Sequence, residues 1–186
     1  MSRARLHAIL LGVALLLAEL ERRGRAATAS PGTQHAGGQE WVGVALRLAG
    51  DMYLLAREEV REVLSVPSPL TRVPGARRWV RGIASVRGQI LPVIDLRDFL
   101  GGGPTQDSRN VRIVVAAHRD VPAGLLVDEV LGFRRYGEAD FSAELPATTL
   151  SNARFLAGSF PQSGQSWPVF SLRRLLEDPA FVAGAA

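Results

Sequence analysis

The chain has 186 residues, 22 basic and 18 acidic side chains, a formal net charge of +4 and no cysteine. This length suits one large domain or two small ones that share a core. The lack of cysteine excludes disulfides, thiolate chemistry and cysteine-ligated metals. Every basic side chain is arginine or histidine, and acidic residues are interspersed among the arginines, so the charge gives only weak support to a nucleic-acid or membrane partner.

Residues 6–20 form an apolar run that follows two arginines and precedes a charged stretch. The run is shorter than the roughly 20 residues of a membrane-spanning helix, so we expect no direct membrane insertion. A secretory signal is disfavoured because charged side chains fill the region that should be small and neutral. We predict an amphipathic docking helix over residues 1–26, with a signal or membrane-surface segment and a misassigned start as the alternatives.

Residues 27–40 are rich in alanine, serine, threonine, glycine and glutamine, a composition typical of a flexible linker. The folded domain is expected to begin at Trp41. Apolar and small residues alternate over residues 42–48, as in a half-buried strand, and a glycine-aspartate turn leads into a second apolar run over residues 52–56. This order predicts an opening β-hairpin.

A third strand is predicted over residues 60–66, where Val60, Glu62 and Leu64 would share one face. Three prolines in the next stretch predict an irregular crossing rather than a helix or a strand. The crossing leads into residues 79–96, which contain two apolar arms and a charged turn between them.

Those residues read WVRGIASVRGQILPVIDL, and the Arg87-Gly88-Gln89 turn predicts a β-hairpin with a charged tip. Neither arm has a polar face, so we expect packing on both sides of the hairpin. Pro92 has no N–H to donate, which predicts an edge strand or a bulge. Arg87 is a candidate recognition residue, because a guanidinium held at a glycine-flanked tip can present its planar fork to a carboxylate.

Asp95 is expected to cap a short helix that follows it. The remaining predicted elements are that helix over residues 96–100, strands over 111–117 and 121–130, a last hairpin over 155–170 and a closing helix over 172–176. Short strands with turns about every ten residues are typical of closed or nearly closed β-barrels. We therefore predict a mainly β protein.

Few residues could carry catalysis. The three histidines fall in the N-terminal run, the linker and a turn, so no two can be assigned to one site and no metal-ligand spacing exists. The triple glycine at residues 101–103 lacks the strand, the helix and the lysine of a phosphate-binding loop. We predict no enzyme activity, no cofactor and no metal, and favour a binding module.

Arg77, Arg78, Arg81 and Arg87 form one basic cluster. A basic, OB-like barrel that binds single-stranded nucleic acid is the alternative function. Such sites interleave arginine with exposed aromatic residues on a strand face. Because only Trp79 lies near this cluster, we expect no nucleic-acid partner.

The residues already described carry a family resemblance. The run over residues 79–96, with Gly82, Val86-Arg87-Gly88, Pro92 and Asp95-Leu96 in register, resembles the signature of CheW-type chemotaxis coupling proteins. The resemblance extends from about Trp41 to about Leu176, through the VREV and GLLVDEV segments. The stretch FSAELPATTLSNARFLAGSF is most similar to the PilI-type adaptors of type IV pilus systems. Ser85 departs from the asparagine that is usual in the family.

The resemblance implies a CheW-like fold of two five-stranded β-barrels, SH3-like or OB-like, packed together over residues 41–178, with a C-terminal tail over 179–186. It implies a non-catalytic adaptor that couples methyl-accepting chemoreceptors to a CheA-type histidine kinase and controls twitching motility. The adaptor would be cytoplasmic and recruited to receptor arrays at the inner membrane.

The resemblance also implies two binding surfaces. The positions that it assigns to a groove for the receptor cytoplasmic tip are Val60, Glu62, Gly82, Ser85, Val86, Arg87 and Gly88. A surface for the kinase regulatory domain is expected on the other barrel, at Gly124, Leu126, Val127, Asp128 and Val130.

Overall fold

A computed structural model describes residues 40–119 and 121–185 of the chain. The strands are β1 (Glu40–Leu48), β2 (Asp51–Ala56), β3 (Val60–Ser65), β4 (Val80–Val86), β5 (Gln89–Asp95), β6 (Arg112–Ala116), β7 (Gly124–Val127), β8 (Glu129–Gly137), β9 (Leu156–Gln162) and β10 (Gln165–Phe170). The helices are α1 (Leu96–Phe99), α2 (Leu172–Leu176) and α3 (Pro179–Ala185). The docking helix expected over residues 1–26, and the linker apart from Glu40, lie outside the described residues.

The strands form two five-stranded sheets. Barrel 1 has the strand order β8-β1-β2-β10-β9, and barrel 2 has the order β3-β6-β7-β5-β4. Each contains one parallel pair, β2 with β10 and β5 with β7, and the other neighbours are antiparallel. The prediction of a mainly β protein built from two five-stranded units is confirmed.

The two barrels share one large apolar core. Alternation along β1 explains how, because Val44, Leu46 and Leu48 pack into the shared core while Ala45 packs inside barrel 1. The interior of barrel 2 is a separate cluster that includes Leu91, Val93 and other aliphatic side chains. Each strand of the opening hairpin therefore contributes to two cores at once.

The ends of each sheet are joined in different ways. In barrel 1, the backbone of Ser142 pairs with Ser159 of β9, and Tyr136 of β8 stacks on Phe160 of β9 with ring centroids 4.6 Å apart. In barrel 2 the backbone of Thr71, in the proline-rich crossing, pairs with Ile83 of β4. The crossing thus covers part of the free edge that β4 would otherwise present.

The hairpin over β4 and β5 differs from its prediction at the tip. Near its base Ile94 is fully buried, as expected for packing on both faces, but Ile90 is 69% exposed. The reason is that β7 pairs with β5 only from Val93 to Asp95, so the tip has no neighbour on that side. Two-sided packing is therefore correct for the base of the hairpin and wrong for its tip.

Pro92 does not lie on an edge strand, because β5 sits between β4 and β7. The proline instead comes one residue before the pairing with β7 begins at Val93. Its missing N–H therefore costs no hydrogen bond between β5 and β7. The irregularity in the hairpin falls in β4, between Val80 and Gly82.

The single strand predicted over residues 121–130 is two strands in different barrels. β7 belongs to barrel 2, β8 belongs to barrel 1, and Asp128 stands between them. The Ala49 N–H donates to Oδ2 of Asp128 over 2.7 Å, which ties the junction to the β1–β2 turn. Apolar residues occur on both sides of Asp128 because β7 and β8 both pack on the shared core. The sequence pattern therefore shows no break at the junction between the two strands.

The expected C-terminal tail is the helix α3. Phe181 is fully buried and stacks on Trp79, with ring centroids 5.9 Å apart and an interplanar angle of 15°. A Cβ at Gly184 would lie 2.2 Å from the Trp79 ring, so the close approach requires glycine. The residues predicted as a tail thus form a helix that packs on the domain.

Candidate functional site

The two end strands of barrel 2, β3 and β4, do not pair with each other, and we call the boundary between them the seam. Glu62 on β3 and Arg87 at the hairpin tip form an ion pair across it, with Nη2 of Arg87 2.9 Å from Oε2 of Glu62. The Glu62 side chain is 18% exposed and the Arg87 side chain is 79% exposed. The acid is therefore anchored in the barrel wall while most of the guanidinium remains accessible.

The turn that carries Arg87 is tightly constrained. Arg87 and Gly88 have φ values of +50° and +78°, and Val86 pairs with Gln89 on either side of them. Two left-handed residues between paired antiparallel strands are typical of a type I′ hairpin turn. The short turn and the Glu62 contact together hold the arginine at the tip. The sequence pattern predicted the turn, but not the contact with Glu62.

Apolar side chains flank the seam. Val63 on the outer face of β3 and Ile90 on the outer face of β5 are both exposed, and Val66 is exposed just beyond the end of β3. Ser85 pairs with Ile90 and is exposed on the same face. An arginine that is held in place among exposed aliphatic residues is a typical composition for a protein-binding surface.

The predicted receptor-groove residues divide into two groups. Glu62, Ser85, Val86, Arg87 and Gly88 lie at the seam and are exposed or half-buried. Val60 is only 4% exposed and packs in the shared core, whereas Gly82 is buried beneath the crossing. The structure therefore brings five of the seven predicted groove residues together at the seam. The other two, Val60 and Gly82, are buried behind it.

Gly82 is required by the backbone that crosses over it. Its φ is +142°, and a Cβ at this position would lie 2.5 Å from the carbonyl oxygen of Thr71. The same segment exchanges two hydrogen bonds with β4: the Thr71 N–H donates to the Ile83 carbonyl over 3.0 Å, and the Ile83 N–H donates back over 2.8 Å. The glycine thus allows the crossing to pair with the hairpin.

The residues assigned to the kinase surface are placed differently from the prediction. Gly124, Leu126 and Val127 lie in β7 of barrel 2, the barrel of the hairpin, and all three are buried. The expectation that they lie on the other barrel is wrong, because parallel pairing of β7 with β5 draws them into barrel 2. Asp128 and Val130 are partly buried, and Val130 is in β8 of barrel 1.

The basic cluster is largely neutralised by acids. Arg78 pairs with Asp98 at 2.9 Å and Arg81 pairs with Asp95 at 3.3 Å. Asp95 is fully buried, and the Asp98 N–H donates to it over 3.1 Å, which confirms its predicted role as the cap of α1. Arginines that are paired with carboxylates offer little free charge to phosphates, so this cluster weighs against the nucleic-acid alternative.

Both tyrosines are kept neutral by their surroundings. Burial raises the pKa of Tyr136 to about 12, although the nearby Arg134 opposes this shift, and the Tyr136 hydroxyl donates to Gln162 over 2.9 Å. Burial also raises the pKa of Tyr53, whose hydroxyl accepts a hydrogen bond from Nδ2 of Asn152 over 2.8 Å. These phenols are hydrogen-bonded core groups rather than candidate bases.

Two exposed residues that the sequence analysis did not single out, Arg57 and Phe133, contact each other near the start of β3. The Arg57 guanidinium is 5.8 Å from the centroid of the Phe133 ring, and its Nη1 donates to the Val60 carbonyl over 2.8 Å. Phe133 lies in the part of β8 beyond residue 130, where the predicted strand ended. Its exposure therefore had no signal in the sequence pattern.

The described residues contain no group of three or more histidine, aspartate or glutamate side chains that could hold a metal ion. None of the helices in the described ranges is long and apolar enough to cross a membrane. The fold is therefore two five-stranded barrels on a shared core, with an accessible arginine at the tip of one hairpin.

The family is shown by comparison with known proteins. The CheW-like domain model matches residues 43–180, so the chain belongs to the CheW-like domain family. Protein PilI of Pseudomonas aeruginosa is 36% identical over 167 residues, which cover 90% of this chain and 93% of PilI. Chemotaxis protein CheW of Bacillus subtilis is 35% identical over 80 residues, covering 43% of this chain and 51% of that protein.

A solved structure supports the same assignment. The scaffolding protein TtCheW from Thermoanaerobacter tengcongensis matches with a TM-score of 0.66 and 29% sequence identity, over 76% of this chain and 95% of its own. The resemblance to CheW-type and PilI-type proteins that the sequence motifs carried is thereby confirmed.

Proposed function

We propose that this chain is a non-catalytic adaptor that couples methyl-accepting chemoreceptors to a CheA-type histidine kinase in a chemotaxis-like pathway. Membership of the CheW-like domain family supports the adaptor role, and the similarity to PilI along almost the whole of both chains supports an output in type IV pilus twitching motility. An adaptor of this kind works in the cytoplasm, at receptor arrays on the inner membrane.

The observation that carries the proposal is the Glu62–Arg87 pair across the seam of barrel 2. Glu62 orients the guanidinium through Nη2, and the exposed remainder of Arg87 can donate to a second carboxylate from a partner. Ile90 and Val63 supply apolar contact beside it. A helical receptor tip that displays an acid next to aliphatic residues would match both features.

We propose that the kinase regulatory domain binds the surface around Asp128 and Val130. These are the two predicted positions that are not fully buried, and they stand where the chain passes from barrel 2 to barrel 1. Gly124, Leu126 and Val127 would support this surface from within barrel 2 without contacting the kinase. The receptor and the kinase would then contact separate parts of the domain.

Co-purification tests the proposal directly. Tagged full-length protein is expressed in its host and the captured proteins are identified by mass spectrometry, with an Arg87→Glu variant as the matched comparison. We expect a methyl-accepting receptor and a CheA-type kinase with the parent protein, and the kinase without the receptor in the variant. Capture of nucleic acid with neither protein would contradict the adaptor function.

A further inference from the structure

Barrel 1 has a cavity at the end where β1 begins and β2 ends. Its volume is about 370 Å³, and Trp41 of β1 and Ala56 of β2 are among the residues that line it. The mouth of a β-barrel is a common place for a small-molecule site. The adaptor function proposed above gives this cavity no role.

Three aromatic rings form much of the apolar wall of the cavity. Phe160 is fully buried and lies at the centre of the set. Its ring centroid is 4.6 Å from that of Trp41 and 5.4 Å from that of Phe141. A wall of this kind accommodates an aromatic or branched apolar group.

Two glycines fix the outer rings against the barrel. A Cβ at Gly43 of β1 would lie 2.3 Å from the Trp41 ring, and a Cβ at Gly158 of β9 would lie 2.2 Å from the Phe141 ring. Each ring therefore rests directly on the backbone of a strand, where a larger residue would displace it. Because the rings are already held in place, a ligand would lose little affinity to ordering the site.

Four charged side chains also line the cavity, and two of them are engaged by the protein itself. Glu59 accepts hydrogen bonds from the Ser171 hydroxyl over 3.0 Å and from the Leu172 N–H over 2.6 Å. Arg174 donates through Nη1 to the Leu156 carbonyl. These two side chains are structural.

The other two charged side chains are Glu138 and Arg173. Both are exposed, and within the described residues neither side chain forms a hydrogen bond or an ion pair. The cavity therefore has one uncompensated charge of each sign beside an aromatic wall. A ligand that carried a single charge would face a like charge as well as an opposite one.

We propose that the mouth of barrel 1 binds a free α-amino acid with an aromatic or branched apolar side chain. Arg173 binds the carboxylate through the fork of its guanidinium, and Glu138 accepts hydrogen bonds from the ammonium group. The apolar side chain of the ligand packs against the three rings. This site is built by barrel 1 alone, so the inference does not rest on the adaptor function.

The test uses the full-length chain and L-phenylalanine, titrated by isothermal calorimetry. Three analogues remove one feature at a time: hydrocinnamate lacks the ammonium group, phenethylamine lacks the carboxylate, and N-acetyl-L-phenylalanine amide lacks both charges. NMR of isotope-labelled protein locates the ligand through the indole N–H signals of the three tryptophans, each assigned by replacing that tryptophan with phenylalanine.

We expect L-phenylalanine to bind with a Kd of about 0.1 to 1 mM, because a ligand of this size gains limited binding free energy. Each singly charged analogue should bind about tenfold more weakly. The signal of Trp41 should shift on binding, whereas that of Trp79, which packs on the shared core, should not.

Variants at the two exposed charges test the assigned roles, with thermal unfolding of each protein as a check on folding. Arg173→Gln should weaken L-phenylalanine binding by about fivefold to tenfold and remove its advantage over phenethylamine. Glu138→Gln should weaken it similarly and remove the advantage over hydrocinnamate. Arg109→Gln and Glu144→Gln are the matched controls, because both residues are exposed and neither lines the cavity, and they should bind as the parent protein does.

Several outcomes would overturn the proposal. One is the absence of both binding heat and a Trp41 shift at about 10 mM L-phenylalanine, ten times the weakest expected Kd. Another is parent-like affinity in both charge variants. Equal binding of N-acetyl-L-phenylalanine amide would assign the cavity to a side chain of a protein partner instead. The adaptor function is unaffected by these results, since its own test is co-purification of the receptor and the kinase.

Discussion

At the scale of single residues, Arg87 has a backbone that the turn constrains and a side chain that remains accessible. The type I′ geometry places it at the outermost point of the hairpin, and Glu62 fixes the direction of the guanidinium. Oε2 of Glu62 is buried and has no hydrogen-bond partner of good geometry apart from this ion pair. The acid therefore depends on the arginine more than the arginine depends on the acid.

Arg87→Glu should abolish receptor binding, because placing a negative charge against a receptor carboxylate that the complex buries costs roughly 2 to 5 kcal/mol of binding free energy. Its cost to the free energy of unfolding should be smaller, about 1 kcal/mol, since the Arg87 side chain is mostly exposed. Receptor pull-down and urea unfolding measure the two quantities. The charge swap Glu62→Arg with Arg87→Glu should recover stability but not binding, and recovery of receptor binding by the swap would contradict direct recognition of Arg87.

The tyrosines predict a loss of stability at alkaline pH. The folded-state pKa of Tyr136 is about 12, above the ordinary value of 10.0. Stability is therefore complete below pH 10 and declines as pH rises from about 10 to 12, by up to about 1.4 kcal/mol per pH unit for this residue. The raised pKa of Tyr53 acts in the same direction.

The chain offers an unusually clear test, because it contains two tyrosines, no lysine and no cysteine. Urea unfolding at several pH values should show the decline, and Tyr136→Phe should reduce its slope. A slope that is identical in the variant would show that Tyr136 ionises normally in the folded protein.

At the scale of elements, the β4–β5 hairpin changes character along its length. Its base is part of the core and its tip is free, because β7 accompanies β5 only over its last residues. The helix α3 packs Phe181 against Trp79 just before the hairpin begins. The C-terminus thereby supports the base of the element whose tip carries the proposed receptor site.

Ile94→Ala should lower the free energy of unfolding by roughly 2 to 5 kcal/mol, because truncating a fully buried side chain leaves a cavity. Ile90→Ala is the matched control on the same strand and should cost less than about 1 kcal/mol, since its side chain is largely solvent-exposed. Equal losses in the two variants, measured by urea unfolding, would show that the hairpin tip is covered in solution.

Phe181→Ala should cost about 3 to 5 kcal/mol, because the ring is fully buried between Trp79 and Phe99. The exposed Val182 provides the comparison, and Val182→Ala should be nearly neutral. A blue-shifted Trp79 emission that moves to the red in Phe181→Ala would report the loss of stacking. A stability equal to that of the parent would mean that α3 is dispensable.

At the scale of the whole described domain, the barrels cannot be separated cleanly. The shared core takes side chains from β1 and β2 of barrel 1 and from β5, β6 and β7 of barrel 2. Neither barrel could keep this apolar surface buried if the other unfolded. We therefore expect the two barrels to unfold together in one cooperative transition.

The three tryptophans allow this expectation to be measured, since Trp41 and Trp167 pack against the core cluster of barrel 1 and Trp79 packs on the shared core near the hairpin base. A Trp79→Phe variant reports barrel 1, and a variant with Trp41→Phe and Trp167→Phe reports the region of Trp79. Within each variant, urea unfolding followed by tryptophan fluorescence should have the same midpoint as unfolding followed by far-ultraviolet circular dichroism. Two separate midpoints within one variant would contradict a shared core.

Local features of the chain were readable from the sequence. The alternation in β1, the hairpin turn at Arg87-Gly88, the Asp95 cap and the closing helix α2 each depend on neighbours within a few residues. The motif over residues 79–96 also predicted the family, and with it the two five-stranded sheets. A strand, a turn or a cap is decided by short-range sterics and hydrogen bonds, which a linear pattern records.

The burial of individual side chains and the assignment of strands to barrels depend on pairing between distant segments, which the sequence pattern does not record. Whether Val60 is buried, whether Ile90 is exposed and why Gly82 must lack a side chain depend on segments that meet only in the folded protein. The division of residues 121–130 between two barrels, and the Phe133 ring that this division exposes, follow from which strand each segment pairs with. Apolar composition is the same whether a side chain enters a core or stands at its edge, so only the tertiary structure could distinguish the two.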